Sequence, residues 1–99
     1  MNRDELLVKI FKALGHPIRF KIIKYLLDGP KCVCVLNQDI EFSQSNLSQH
    51  LRILKEAGIV ESEKVGLNIH YRLADEQVKN LIHIVQNIIE NKLKRYEEE

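Results

Sequence analysis

The chain has 99 residues, of which 44% are hydrophobic and 29% charged, and a formal net charge of +1. That suffices for a single domain with one modest core; it excludes a disordered chain, and no apolar run approaches bilayer-spanning length. The near-neutral total gives no pointer to nucleic acid, but its distribution does. Residues 9–31 hold Lys9, Lys12, Arg19, Lys21, Lys24 and Lys31 against Asp28, while Glu97, Glu98 and Glu99 make an acidic tail. A locally basic region attracts phosphate even in a neutral protein, although these lysines also read as ordinary solvated helix faces. The N-terminus carries Asp4 and Glu5 and no apolar export segment, so a cytoplasmic protein is expected.

In chain order, residues 4–14 read as a first helix, with Leu6, Leu7, Ile10, Phe11 and Leu14 on one side and Gly15 closing it. His16-Pro17 opens a second helix, with the proline suited to its first turn. Ile18, Ile22, Ile23, Leu26 and Leu27 continue that helix, and Asp28-Gly29-Pro30 stops it. Residues 32–39 read as a short third helix with Val33, Leu36 and Ile40 as core. Ile40-Glu41-Phe42 is then a tight connection into a helix over 43–57, capped by Ser43 and ended by Gly58.

The 43–57 helix has two unlike faces. Leu47, Leu51 and Leu54 form an apolar stripe, while Ser45, Ser48, Gln49 and Arg52 lie opposite or beside it, with Gln44 at the start. Surface helices commonly carry Glu and Lys. Hydroxyls, amides and a guanidinium are instead the groups that read base edges and touch phosphates, which makes this a candidate recognition helix. A plain surface helix that happens to be polar is the alternative.

After Gly58 the period changes from 3.6 to 2. Residues 59–73 read as a β-hairpin, with Ile69, Tyr71 and Leu73 alternating with His70 and Arg72, and with Gly66 and Asn68 supplying turn chemistry. A hairpin behind a helix-turn-helix is a wing, and Lys64, Asn68, His70 and Arg72 are its candidate contacts to phosphate or the minor groove. A bare solvent face is again the alternative for His70 and Arg72. Asp75 caps a last helix to about Tyr96, whose stripe of Val78, Leu81, Ile82, Val85, Ile88, Ile89 and Leu93 exceeds what one small domain needs. The first and last helices are therefore expected to form a two-fold dimer interface, placing two recognition helices about one duplex turn apart over an inverted-repeat site. The expected class is mainly α with a small hairpin: a winged helix-turn-helix ordered α-α-α-α-β-β-α.

The runs Phe11-Lys-Ala-Leu-Gly-His-Pro-Ile-Arg-Phe-Lys-Ile-Ile23, Lys31-Cys-Val-Cys-Val-Leu36, Ser43 to Val60 and Gly66 with His70-Tyr-Arg-Leu73 together resemble the ArsR/SmtB family of dimeric winged-helix repressors, over nearly the whole chain. The resemblance implies operator binding released by an inducer, often a thiophilic metal or metalloid. It also implies that Ser45, Ser48, Gln49 and Arg52 face the major groove. Cys32-Val33-Cys34 is similar to the motif of arsenic-responsive members, some of which have a third cysteine where Asn37 stands here. Members sensing cadmium and lead add cysteines before this point, and this chain has none there. The carboxylate and imidazole set of zinc-sensing members maps to Asp75, Gln77, Ile88 and Asn91, so that site is not expected, and His83 reads as a surface or interface histidine.

The two cysteines remain open to three readings: metal ligands, an oxidisable pair, or small packed side chains. In a regular helix, positions i and i+2 point about 200° apart, so a shared ion or a disulfide requires the first turn to distort. Arsenite or antimonite is the first choice of inducer at Cys32 and Cys34 and cadmium the second. Oxidation, vestigial cysteines and a protein-interaction role for the winged helix are the alternatives. No catalytic triad, phosphate loop or hydrolase motif points to an enzyme.

Overall fold

The computed structural model describes residues 1–98; Glu99, the end of the acidic tail, lies outside them. The elements are α1 (Arg3–Leu14), α2 (Pro17–Leu26), β1 (Lys31–Cys32), α3 (Val33–Leu36), α4 (Ile40–Ser43), α5 (Leu47–Glu56), β2 (Val60–Val65), β3 (Asn68–Leu73) and α6 (Glu76–Glu98). Together they make a winged helix, and among the described residues no helix is long and apolar enough to cross a membrane.

The core forms where α2 and α5 face each other. Leu47, Leu51 and Leu54 of α5 are buried with Ile22, Ile23 and Leu26 of α2, joined by Leu36, Phe42, Ile59, Val60 and Ile82. Asp39 pins α2 to the turn after α3. Its carboxylate accepts from the Tyr25 hydroxyl at 2.7 Å and lies 3.0 Å from Lys21 Nζ. The Tyr25 hydrogen bond and then Lys21 hold the Asp39 carboxyl below the usual carboxylate range.

The segment before α5 departs from expectation. The helix expected over 32–39 is only the end of β1 and the short α3, and the expected connection Ile40-Glu41-Phe42 is itself helical, as α4. Asp39 is the cause: its Oδ1 accepts the Glu41 amide at 2.9 Å, capping a new helix where a bare connection was expected. Ile40 consequently sits at the first position of α4 and is 67% exposed, while Phe42 takes the core position. Ser43 is not the cap of α5. It ends α4, its hydroxyl donating to the Ile40 carbonyl at 3.0 Å, and Asn46 caps α5 by accepting the Gln49 amide at 3.2 Å. The turn of the helix-turn-helix is therefore 44–46.

Gly58 stops α5 as expected. At φ +77° it lets the Ile59 amide reach back to the Leu54 carbonyl at 3.0 Å, the Schellman closure. The hairpin pairs Val60 with Leu73 through Val65 with Asn68. Gly66, at φ +63°, takes the first position of its two-residue turn, and Asn68 begins β3 instead of lying in the turn. A third strand was not anticipated. The sheet runs β1-β3-β2, with Lys31 opposite Tyr71 and Cys32 opposite His70. Asp75 caps α6 as expected, accepting from the Gln77 amide at 2.7 Å.

Candidate nucleic-acid interface and thiol site

The outward side of α5 is open. Gln44, Ser48, Gln49 and Arg52 are exposed, and Ser45 is half-buried because its hydroxyl donates to the Phe42 carbonyl at 2.9 Å. Gln49 Oε1 accepts from Asn46 Nδ2 at 3.0 Å, so the cap also orients the amide that follows it on the helix face. Among the described residues, Arg52 is held only by a 4.0 Å approach to Glu56, both side chains more than half exposed. Such a pair contributes little and leaves the guanidinium available. The helix thus offers amide, hydroxyl and guanidinium groups in one solvent-facing row.

The wing candidates separate into two kinds. Lys64 and Asn68 are exposed beside the tip. Arg72 is engaged: Nη2 donates to Glu61 at 2.7 Å and Nη1 to Glu63 at 3.4 Å, across the β2–β3 pair. A phosphate contact from Arg72 would compete with those two carboxylates. His70 is half-buried in the central strand, opposite Cys32 on one side and Glu63 on the other. Sequence inspection missed Lys55, whose ammonium donates to Ser62 Oγ at 2.7 Å and ties the end of α5 to the wing. Arg19, read from the sequence only as one of the basic residues, meets His50 of α5 at 3.2 Å, a pairing the sequence did not signal. The first contact crosses from helix to strand and the second joins residues 31 apart, so no single periodic pattern signals either.

Cys32 and Cys34 are joined by a disulfide. The expectation that a helix would hold the two sulfurs apart is corrected. Cys32 precedes α3 in extended conformation, φ −66° and ψ 142°, held by β1–β3 pairing, and its sulfur accepts the Cys34 amide at 3.1 Å. Only Cys34 is helical, so no distortion of a regular turn is needed to bring the sulfurs together. Cys32 is buried at 7% exposure, and Cys34 is exposed. No cluster of three or more His, Cys, Asp or Glu side chains suited to a metal is found among the described residues. Once reduced, the pair would present two thiolates, the ligand type that soft ions take, and no third donor stands with them among the described residues.

A buried helix-turn-helix, an open polar face on its second helix and a wing behind it define a DNA-binding winged-helix regulator. A profile described as "Bacterial regulatory protein, arsR family" matches residues 16–62. An HTH-type transcriptional regulator from Methanocaldococcus jannaschii is 39% identical over 89 residues, 89% of this chain and 100% of that protein. The arsenical resistance operon repressor of Bacillus subtilis is 40% identical over 85 residues, 82% of this chain and 81% of that protein. The homodimeric winged helix-turn-helix DNA-binding domain of a possible ArsR-family regulator from Mycobacterium bovis has a TM-score of 0.82 and 27% identity, covering 92% of this chain and 84% of that one. The chain spans about three fifths of some longer relatives: 62% of a cadmium resistance regulatory protein homolog from Staphylococcus aureus and 58% of an SmtB repressor from Mycobacterium tuberculosis. The chain belongs to the ArsR family of winged-helix transcriptional regulators, and it is a DNA-binding repressor of that family rather than an enzyme.

Proposed function

We propose that the protein works in the cytoplasm as a two-fold dimer that binds an inverted-repeat operator and leaves it when the Cys32/Cys34 site is occupied by a thiophilic metalloid or metal. The observation that carries the inducer reading is the convergence of the two sulfurs at the β1–α3 junction. Cys32 is anchored to the wing through His70 of β3, while Cys34 begins the helix leading into the helix-turn-helix. A ligand gripping both sulfurs acts on both DNA-contacting elements, and a preference for the state that fits DNA poorly is what release requires.

Dimerisation rests on unpartnered apolar surface. Leu6, Leu7 and Phe11 of α1 and Ile84, Val85, Ile88, Ile89 and Leu93 of α6 are 44–67% exposed. Contiguous exposed apolar surface on this scale marks an association face. In the dimer, Gln44, Ser45, Ser48, Gln49 and Arg52 of each copy face a major groove, and Lys64, Asn68, His70 and Arg72 line the wing contact.

Arsenite or antimonite is the preferred inducer, in keeping with the arsenical repressor among the relatives, and cadmium is next. The disulfide itself supports a second reading, in which oxidation of the pair is the signal. A gel shift on the DNA upstream of the protein's own coding region tests both. Reduced protein is expected to bind, arsenite to release it, and Cys32→Ser or Cys34→Ser to bind without responding. If the double variant still responds to arsenite as wild type does, the two-thiol site is wrong. If only a thiol oxidant releases the wild type, the oxidation reading replaces the metalloid one.

A further inference from the structure

We propose that Arg19 and His50 form a positioning link that holds the recognition helix at its DNA-binding angle, and that protonation of His50 releases it. This rests on α5 being the DNA-contacting helix. Arg19 stands in the first turns of α2, half-buried, where three elements meet. Its Nε donates to the Ala13 carbonyl at 2.7 Å and its Nη2 to the Lys12 carbonyl at 3.3 Å. These carbonyls lie in the last turn of α1, where the helix itself supplies no donors. The remaining nitrogen, Nη1, lies 3.2 Å from His50 Nδ1 on α5. One planar guanidinium therefore joins the end of α1, a proposed dimer helix, to the middle of the recognition helix. In a symmetric pair, that joint helps to set the distance and tilt between the two reading faces.

The chemistry of the joint fixes its protonation state. A guanidinium has donors and no acceptor, so His50 Nδ1 must accept, leaving a neutral ring with its proton on Nε2. The His16 ring lies against it, centroids 4.6 Å apart and tilted 41°, with its own Nδ1 accepting the Ile18 amide at 3.1 Å. The groups acting on His50 are thus His16 from the α1–α2 junction and Arg19 from α2. Lys9, Lys12, Asp4 and Glu5 of α1 line the groove that Arg19 borders. Burial first, then His16 and Arg19, hold the His50 imidazole below the ordinary histidine value of about 6.5. A proton on Nδ1 removes the acceptor and sets a second cation against Arg19, so the contact opens.

The sign of the effect is diagnostic. Protonating histidines generally tightens binding to a polyanion. This link predicts the opposite: the neutral form is the one that fits DNA, so affinity falls as pH drops through the His50 transition. The test is fluorescence anisotropy on the upstream duplex from pH 7.5 down to the acid end of the His50 transition, as located by NMR titration of its ring, at constant ionic strength. Wild type is expected to lose about three- to tenfold in affinity across that range, as linkage to one proton allows. His50→Asn keeps an acceptor near the Nδ1 position without a titrating group, and its affinity is expected to vary by no more than about twofold. Arg19→Lys, which cannot bridge both elements, is expected to bind more weakly at pH 7.5 while keeping a cooperative thermal transition. An NMR titration of the His50 ring in wild type gives a second readout, with its transition moving further down when DNA is bound. Tighter or unchanged wild-type binding below the His50 transition, a wild-type slope in His50→Asn, or a His50 transition unmoved by DNA overturns the link. Arg52→Ala tests the reading beneath it: if that variant binds like wild type at every pH, the assignment of α5 fails instead.

Discussion

Two helices carry equally regular apolar stripes and meet opposite fates. In α5, Leu47, Leu51 and Leu54 are 6%, 2% and 0% exposed. In α6, Ile88, Ile89 and Leu93 are 50%, 50% and 49% exposed, while Ile82 is buried and Val78 packs against the core. The spacing is helical in both, so the difference lies in what stands opposite. The stripe of α5 meets α2, Phe42 and Val60 within the same chain. The outer stripe of α6 extends beyond the body of the protomer: 23 residues make a helix about 34 Å long at 1.5 Å per residue, more than the core can cover. An apolar stripe without a partner among the described residues calls for one outside the protomer, and in the proposed dimer that partner is the same helix face of a second copy.

Substitutions in the two stripes should separate these roles. Leu54→Ala is expected to cost about 2–5 kcal/mol of protomer stability, the range for emptying a fully buried leucine site, measured by denaturant unfolding. Ile88→Glu is expected to leave the protomer fold intact by circular dichroism and to weaken self-association by about thirtyfold or more, as loss of an interface hot spot does, measured by sedimentation. Equal losses of protomer stability in the two variants would remove the distinction between core and interface. The smallest effect belongs to the cap of α5. Asn46→Ala is expected to cost about 1 kcal/mol and to weaken DNA binding as well, because the same side chain orients Gln49. Asp39→Asn sharpens the comparison from the acid side. The depressed carboxyl contributes stability that is fully present above the ordinary value near 3.9 and lost as pH falls through its folded value. The variant should therefore show a shallower acid decline than wild type.

What the sequence revealed follows the range of the forces involved. The α5 stripe, the Gly58 stop, the Asp75 cap and the hairpin are set by residues a few positions apart, and each was readable. The segment from 31 to 46 was not, because distant contacts decide it. Cys32 and Cys34 read as helical neighbours until β3 arrives to hold Cys32 extended, and Asp39 reads as a helix residue until Tyr25 and Lys21 engage it. Ser43 and Asn46 are both acceptable caps, and the closing of α4 left the role to Asn46. The wing shows the same limit. Its strands were legible, but nothing in their alternation indicated that Arg72 would be taken up by Glu61 and Glu63, or that His70 would lie beside Cys32.

Whether the open face of α5 reads base edges is decided by competition binding. Wild type and the paired variant Gln49→Ala/Arg52→Ala would be titrated with the upstream duplex and with a scrambled duplex of equal length at one salt concentration. Because a good bidentate base contact contributes about 1–3 kcal/mol of discrimination, the variant is expected to lose most of its preference for the upstream duplex while keeping wild-type affinity for the scrambled one. A variant that keeps the wild-type preference would contradict the claim and move recognition elsewhere on the protein.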